Sequence, residues 1–120
     1  MKTNFLFILI SILLLFTACE QKPVPTDKLD YVGEWRADNM YLVIQQDGSI
    51  YYKRVNGNYS KSLNNIPITE FKGDDFIAGV LTWKTTFVVN QVPKEVNGTW
   101  LMTVDGVKLK RITTEEPHSL

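Results

Sequence analysis

From about residue 29 onward the chain alternates apolar and polar side chains in short runs broken by Gly-containing pairs. No window repeats apolar residues at the three- and four-residue spacing of an amphipathic helix. The runs are rich in Val, Ile, Tyr, Phe, Trp and Thr, the side chains that fit a pleated, half-buried surface. Asp47-Gly48, Asn56-Gly57 and Asp105-Gly106 supply the positive φ that two-residue hairpin turns need, and Lys72-Gly73-Asp74 marks a looser turn. Strands are therefore predicted at 33–36, 40–46, 49–55, 59–63, 66–71, 76–80, 83–90, 98–104 and 107–112, about eight in all once two neighbouring pieces merge. A meander of this length protects its edges most simply by closing on itself, which predicts an all-β, antiparallel, up-and-down barrel.

The last hairpin is the best specified. A two-residue turn at Asp105-Gly106 sets Val104 opposite Val107, Met102 opposite Leu109 and Trp100 opposite Arg111. It sends Thr103 with Lys108 and Leu101 with Lys110 to the other face. In the run 81–90, alternation groups Leu81, Trp83, Thr85, Phe87 and Val89, so Trp83, Phe87 and Val89 are expected in the core. The hairpin around Asp47-Gly48 leaves both faces open: Tyr41, Val43, Ile50 and Tyr52 compete with Met40, Leu42, Ile44 and Tyr51.

Ahead of this domain the pattern changes to an apolar run over residues 5–16, interrupted only by Ser11, preceded by Lys2 and followed by Thr17, Ala18 and Cys19. These are the parts of an export signal. Twelve helical residues reach about 18 Å, short of the roughly 30 Å of a bilayer's hydrocarbon core. Phe16-Thr17-Ala18-Cys19 resembles the lipobox of bacterial lipoproteins. That resemblance implies cleavage after residue 18 and attachment of a diacylglyceryl group to the sulfur of Cys19. An acyl chain such as palmitate would follow on its amine, enough for stable membrane anchoring. Glu20 rather than aspartate follows Cys19, which points to the outer membrane of the envelope. Residues 19–28 are polar with Pro23 and Pro25 and read as a lipidated tether standing the domain about 30 Å from the membrane. The domain occupies 29–114 and a frayed tail 115–120.

Charge narrows the partners. Thirteen basic and thirteen acidic residues give no net charge, which argues against nucleic acid. Cys19 is the only cysteine, so no disulfide supports the fold.

Leu29-Asp30-Tyr31-Val32-Gly33-Glu34-Trp35 resembles the opening Gly-x-Trp strand of lipocalins and related calycin barrels. In that family the tryptophan packs beneath an arginine from the final strand, and Arg111 stands where it would be. The resemblance implies a structural pair, Trp35 with Arg111, tying the two ends of the barrel together, and a mouth that holds small apolar ligands. Trp83, Phe87, Trp100 and Met102 are the candidate pocket, although the same side chains would serve equally to fill the interior.

A partner-binding module, such as an inhibitor, immunity factor or accessory subunit, is the alternative. Its candidate surface is Tyr41, Tyr52, Arg54 and Tyr59, with Tyr51 and Lys53 interleaved, since Tyr and Arg are favoured interface anchors. Catalysis is not expected: the only histidine, His118, lies in the tail, no nucleophile elbow is present, and adjacent Asp74 and Asp75 belong to a turn. Neither metal-ligand spacing nor a cofactor motif occurs, so neither group is expected. Asn58-Tyr59-Ser60 and Asn97-Gly98-Thr99 match the glycosylation acceptor pattern, a match without consequence in a bacterial envelope protein.

Overall fold

The computed structural model describes residues 21–112, so Cys19, the apolar leader and His118 lie outside the described residues. A short 3₁₀ helix, Thr26–Tyr31, precedes nine strands: β1 (Gly33–Arg36), β2 (Met40–Ile44), β3 (Ser49–Asn56), β4 (Tyr59–Lys72), β5 (Asp75–Val80), β6 (Trp83–Phe87), β7 (Val89–Val96), β8 (Thr99–Val104) and β9 (Val107–Arg111). They form one antiparallel up-and-down sheet in the order β6-β5-β4-β3-β2-β1-β9-β8-β7, curled into a half-barrel. The all-β, barrel-like class predicted from the alternation is what the chain adopts.

Two devices bend the sheet. The first is β4, predicted as two strands and found as one. Ile50 pairs with Ile66 but Tyr52 with Leu63, and Ile68 pairs with Ala78 but Glu70 with Ile77, so β4 carries an extra residue at each step. Asn65, at φ 54, lies in the first of these bulges. Bulges increase local twist, and here they let one strand pair with β3 along its first part and with β5 along its last.

The second device is the joint between β6 and β7, the two outer strands of the sheet, which Val88 alone connects. The predicted strand 83–90 is broken at this residue. Val88 N–H donates to Asp105 Oδ1 at 2.9 Å and Val89 N–H to Asp75 Oδ1 at 2.8 Å. Asp105 N–H donates back to the Val88 carbonyl at 2.7 Å, and Gly106 N–H to Asn90 Oδ1 at 2.7 Å. The curl is thus drawn together by a covalent bend and by side chains that meet backbone groups a regular ladder would have paired.

The ambiguity of the β2–β3 hairpin disappears once its loop is seen to hold three residues. Gln45 N–H donates to the Ser49 carbonyl at 2.9 Å and Gly48 N–H to the Gln45 carbonyl at 3.0 Å, with Gly48 at φ 92. This loop shifts the register by one residue relative to a two-residue turn, so Ile44 meets Ile50 and Leu42 meets Tyr52. Met40, Leu42, Ile44, Ile50 and Tyr52 all become buried, joined in the core by Trp35, Phe76, Ala78, Phe87, Val89, Met102, Val104 and Leu109. The Asp105-Gly106 hairpin has the predicted register, with Met102 opposite Leu109 and Val104 opposite Val107.

Two expectations are corrected. Trp83 is 43 % exposed and lies outside the core, because it pairs with Val80 at the open tip of the β5–β6 hairpin, where the strands run past the apolar interior. The tether reading of 19–28 fails for its described part. Val24 is buried, its N–H donates to the Gln46 carbonyl at 2.9 Å, and Gln21 Nε2 donates to the Asp47 carbonyl at 2.9 Å. Residues 21–31 are therefore a docked segment that belongs to the domain.

Candidate functional site

Two clusters carry the candidate residues, one at each end of the curled sheet. At the first, β1 and β9 lie side by side with Trp35 directly opposite Arg111. The Arg111 guanidinium sits 4.7 Å from the Trp35 ring and 4.7 Å from the Trp100 ring, so it is held between two indoles. One Nη donates to the Asp30 carbonyl, while Nε is buried without a partner. Trp35 is fully buried, and its indole N–H donates to the Tyr31 carbonyl at 2.9 Å. A Cβ on Gly33 would lie 3.0 Å from Arg111 Nε, and φ there is 148, so glycine is what admits the guanidinium. Tyr31 completes this end: its ring meets Phe71 and Phe76 edge-on at 5.5 and 6.4 Å, and its hydroxyl donates to the Asp74 carbonyl at 2.8 Å. The hydrogen bonds of this cluster run within the chain: the Arg111 guanidinium to Asp30, the Trp35 indole to Tyr31 and the Tyr31 hydroxyl to Asp74.

At the opposite end of β3 a cleft of about 320 Å³ opens between the β3–β4 hairpin, β6 and the β8–β9 turn. Strand alternation puts Tyr52, Arg54 and Asn56 of β3 along one wall, with Tyr59 and Lys61 of β4 beside them. Thr85, Phe87 and Asp105 form the other wall. The floor is aromatic: Tyr52 and Phe87 meet edge-on at 5.1 Å, and Phe87 stacks on Phe76 at 4.8 Å. Burial pushes the Tyr52 hydroxyl above its ordinary pKa, against the opposing hydrogen bond and charge of Arg54. The rim is polar, and Tyr59 on it is 65 % exposed.

The structure divides the sequence candidates differently from either predicted grouping. Of the expected pocket residues, only Phe87 lines the cleft. Met102 is buried in the core, Trp100 covers Arg111, and Trp83 lies outward on the β5–β6 hairpin. Of the expected partner surface, Tyr52, Arg54 and Tyr59 line the cleft, whereas Tyr41 faces the other side of the sheet and donates its hydroxyl to Glu34 at 3.1 Å. Asp75 is engaged with Val89 N–H, and the Asp74 carbonyl with Tyr31. Cys19 lies outside the described residues.

Lys61, Asn56, Thr85 and Asp105 belong to the cleft and were not singled out from the sequence. The turn holds Gly57 and Asn58 instead of the predicted Asn56-Gly57 pair, which sets Lys61 opposite Arg54 where the predicted turn would have set it opposite Tyr52. Among the described residues, no group of three or more His, Cys, Asp and Glu is placed to hold a metal, and no helix is long and apolar enough to cross a membrane. No family model, curated protein or solved structure matches the chain.

Proposed function

We propose that this is a lipid-anchored protein of a bacterial cell envelope whose lipocalin-like domain binds a small ligand, without catalysis, in the cleft between β3, β4 and β6. The observation that carries the reading is the pairing of an aromatic floor, Tyr52 and Phe87, with a rim of polar and charged groups. Ligand sites commonly combine an apolar lining with a few convergent polar groups that fix orientation. The rest of the interior is packed: Trp35, Met40, Leu42, Ile50, Phe76 and Val104 are each fully buried. A small ligand therefore sits at the mouth and not along the barrel axis.

The anchor is read from Cys19 behind the apolar leader, in favour of the outer membrane. Docking of the described segment at Val24 leaves little free chain beyond it. From Cys19 to Gln21 is two residues, at most about 7 Å. The docking point, beside the loop before β3, and the tip of the cleft at Asn56 are separated by the length of an eight-residue strand, about 25 Å. An anchored domain would thus hold the cleft away from the bilayer.

The binding test uses the processed protein in phosphatidylcholine nanodiscs, dialysed against the neutral apolar probe N-phenyl-1-naphthylamine, with empty nanodiscs subtracted. One probe should bind per protein, and Thr85→Trp, which fills the cleft, should abolish it. Equal uptake by the two proteins would refute the cleft as the binding site. Exposure of Tyr59 at the hairpin tip favours a second reading, a protein partner seated on the same rim. In that case Tyr59→Ala should abolish capture of one envelope protein while probe binding stays intact.

A further inference from the structure

The cleft wall holds a charge arrangement that the fold alone does not explain. Arg54 and Lys61 are direct cross-strand partners on β3 and β4, and both line the cleft. Like charges directly opposite on one face of a strand pair repel and destabilise it. Both residues line the cleft beside the aromatic floor, which excludes water and so weakens the screening of their charges. Across the cleft the lining contains a single carboxylate, Asp105, and its Oδ1 already accepts the Val88 N–H. Two cations against one carboxylate leave the lining with an excess of one positive charge, in a chain whose basic and acidic residues balance at thirteen each. The excess is local. Asn56, beside Arg54 on the same wall, adds an amide donor.

We infer that the cleft's ligand is a small organic anion, its apolar or aromatic body on Tyr52 and Phe87 and its charged group between Arg54 and Lys61. The planar guanidinium can grip a carboxylate, sulfonate or phosphate with two parallel hydrogen bonds, and the ammonium supplies a second, freely rotating donor. The anion relieves the cross-strand repulsion on binding, so occupancy stabilises the β3–β4 pair as well as the complex. This inference rests on the reading of the cleft as a ligand site, and concerns which ligands it accepts.

The test compares 2-naphthoate with its neutral isostere 2-naphthamide, by equilibrium dialysis against the processed protein in phosphatidylcholine nanodiscs with empty nanodiscs subtracted. Naphthoate should bind at least about tenfold more tightly, a margin that one charge-assisted pair can supply. Arg54→Gln with Lys61→Gln should erase the margin, weakening naphthoate far more than naphthamide. A melting series adds a readout independent of the probes. Sulfate, which stabilises folded proteins generally, should raise the midpoint over that in chloride at equal ionic strength by more for the native protein than for the double variant; equal rises would count against the anion site. Equal binding of the two probes would overturn the anion assignment and leave the cleft standing as an apolar site. Failure of both probes to bind would overturn the ligand reading itself, and the anion assignment with it.

Discussion

Arg111 shows how much one residue position demands of its surroundings. Its guanidinium lies between the Trp35 and Trp100 rings, an arrangement in which each partly desolvated contact is worth about 0.5–2 kcal/mol. That geometry requires Gly33 to have no side chain. Gly33→Ala would press a Cβ to 3.0 Å from Nε at a φ of 148. A destabilisation of about 1–3 kcal/mol is expected, measurable by urea unfolding followed by tryptophan fluorescence. Wild-type stability in that variant would show that the guanidinium has room to move aside. Tyr31 offers a second test at this scale. Burial first, and then the carboxylates of Asp74 and Asp75, push its pKa from 10.0 to about 12. The folded state therefore holds the phenolic proton more tightly than the unfolded chain. The associated stability is complete below about pH 10 and drains away as the pH rises towards 12. Unfolding titrations across that window should steepen with pH for the native protein and flatten for Tyr31→Phe.

Turn chemistry decides the elements, and it also decides what the sequence makes legible. Asp105 and Gly106 both take positive φ, 48 and 78, so the two-residue reading of that hairpin gives the correct register for four successive pairs. Asp47-Gly48 looks the same on paper. There, however, Ser49 N–H and hydroxyl bind Asp47 Oδ1 at 3.0 and 2.7 Å, and Gly48 closes a three-residue loop, a difference of one position that decides which face is buried. Asn97-Gly98 makes an equally tight turn, at φ 53 and 82, yet escapes a reading based on apolar runs. The strand before it, β7, is almost wholly exposed, carries Pro93 and has two register shifts, so it shows no alternation.

The docked segment was hidden for a related reason. Ahead of the 3₁₀ helix Val24 is its one buried side chain, and what holds that stretch is largely backbone, which composition does not reveal. Gly48 marks the contact: a Cβ there would fall 2.0 Å from the Lys22 carbonyl oxygen. Gly48→Ala should release the segment, raising the hydrogen-exchange rate of the Val24 amide by more than tenfold and costing about 1–2 kcal/mol of stability. Unchanged Val24 protection would mean that the loop, and not the segment, yields.

At the scale of the whole molecule the fold separates two jobs. One end is packed shut by Trp35, Arg111 and Tyr31, and the other keeps a cleft floored by the same aromatic stack, Phe76 and Phe87, that anchors the core. The barrel class was readable from alternation and turns. The cleft was not, because its lining comes from three strands and a turn, and the sequence separates Tyr52 from Phe87 and Asp105 by runs whose curvature depends on the bulges of β4. The aromatic and cationic residues around 52–59 were visible as a group, but only the register across β3 and β4 turns them inward. The most direct measurement is native mass spectrometry of the protein extracted from the bacterial envelope. The account predicts a chain beginning at Cys19, increased in mass by its acyl groups and carrying one small, dissociable anion that Arg54→Gln with Lys61→Gln removes. A chain that keeps its apolar leader, bears no lipid and carries no such molecule would contradict it.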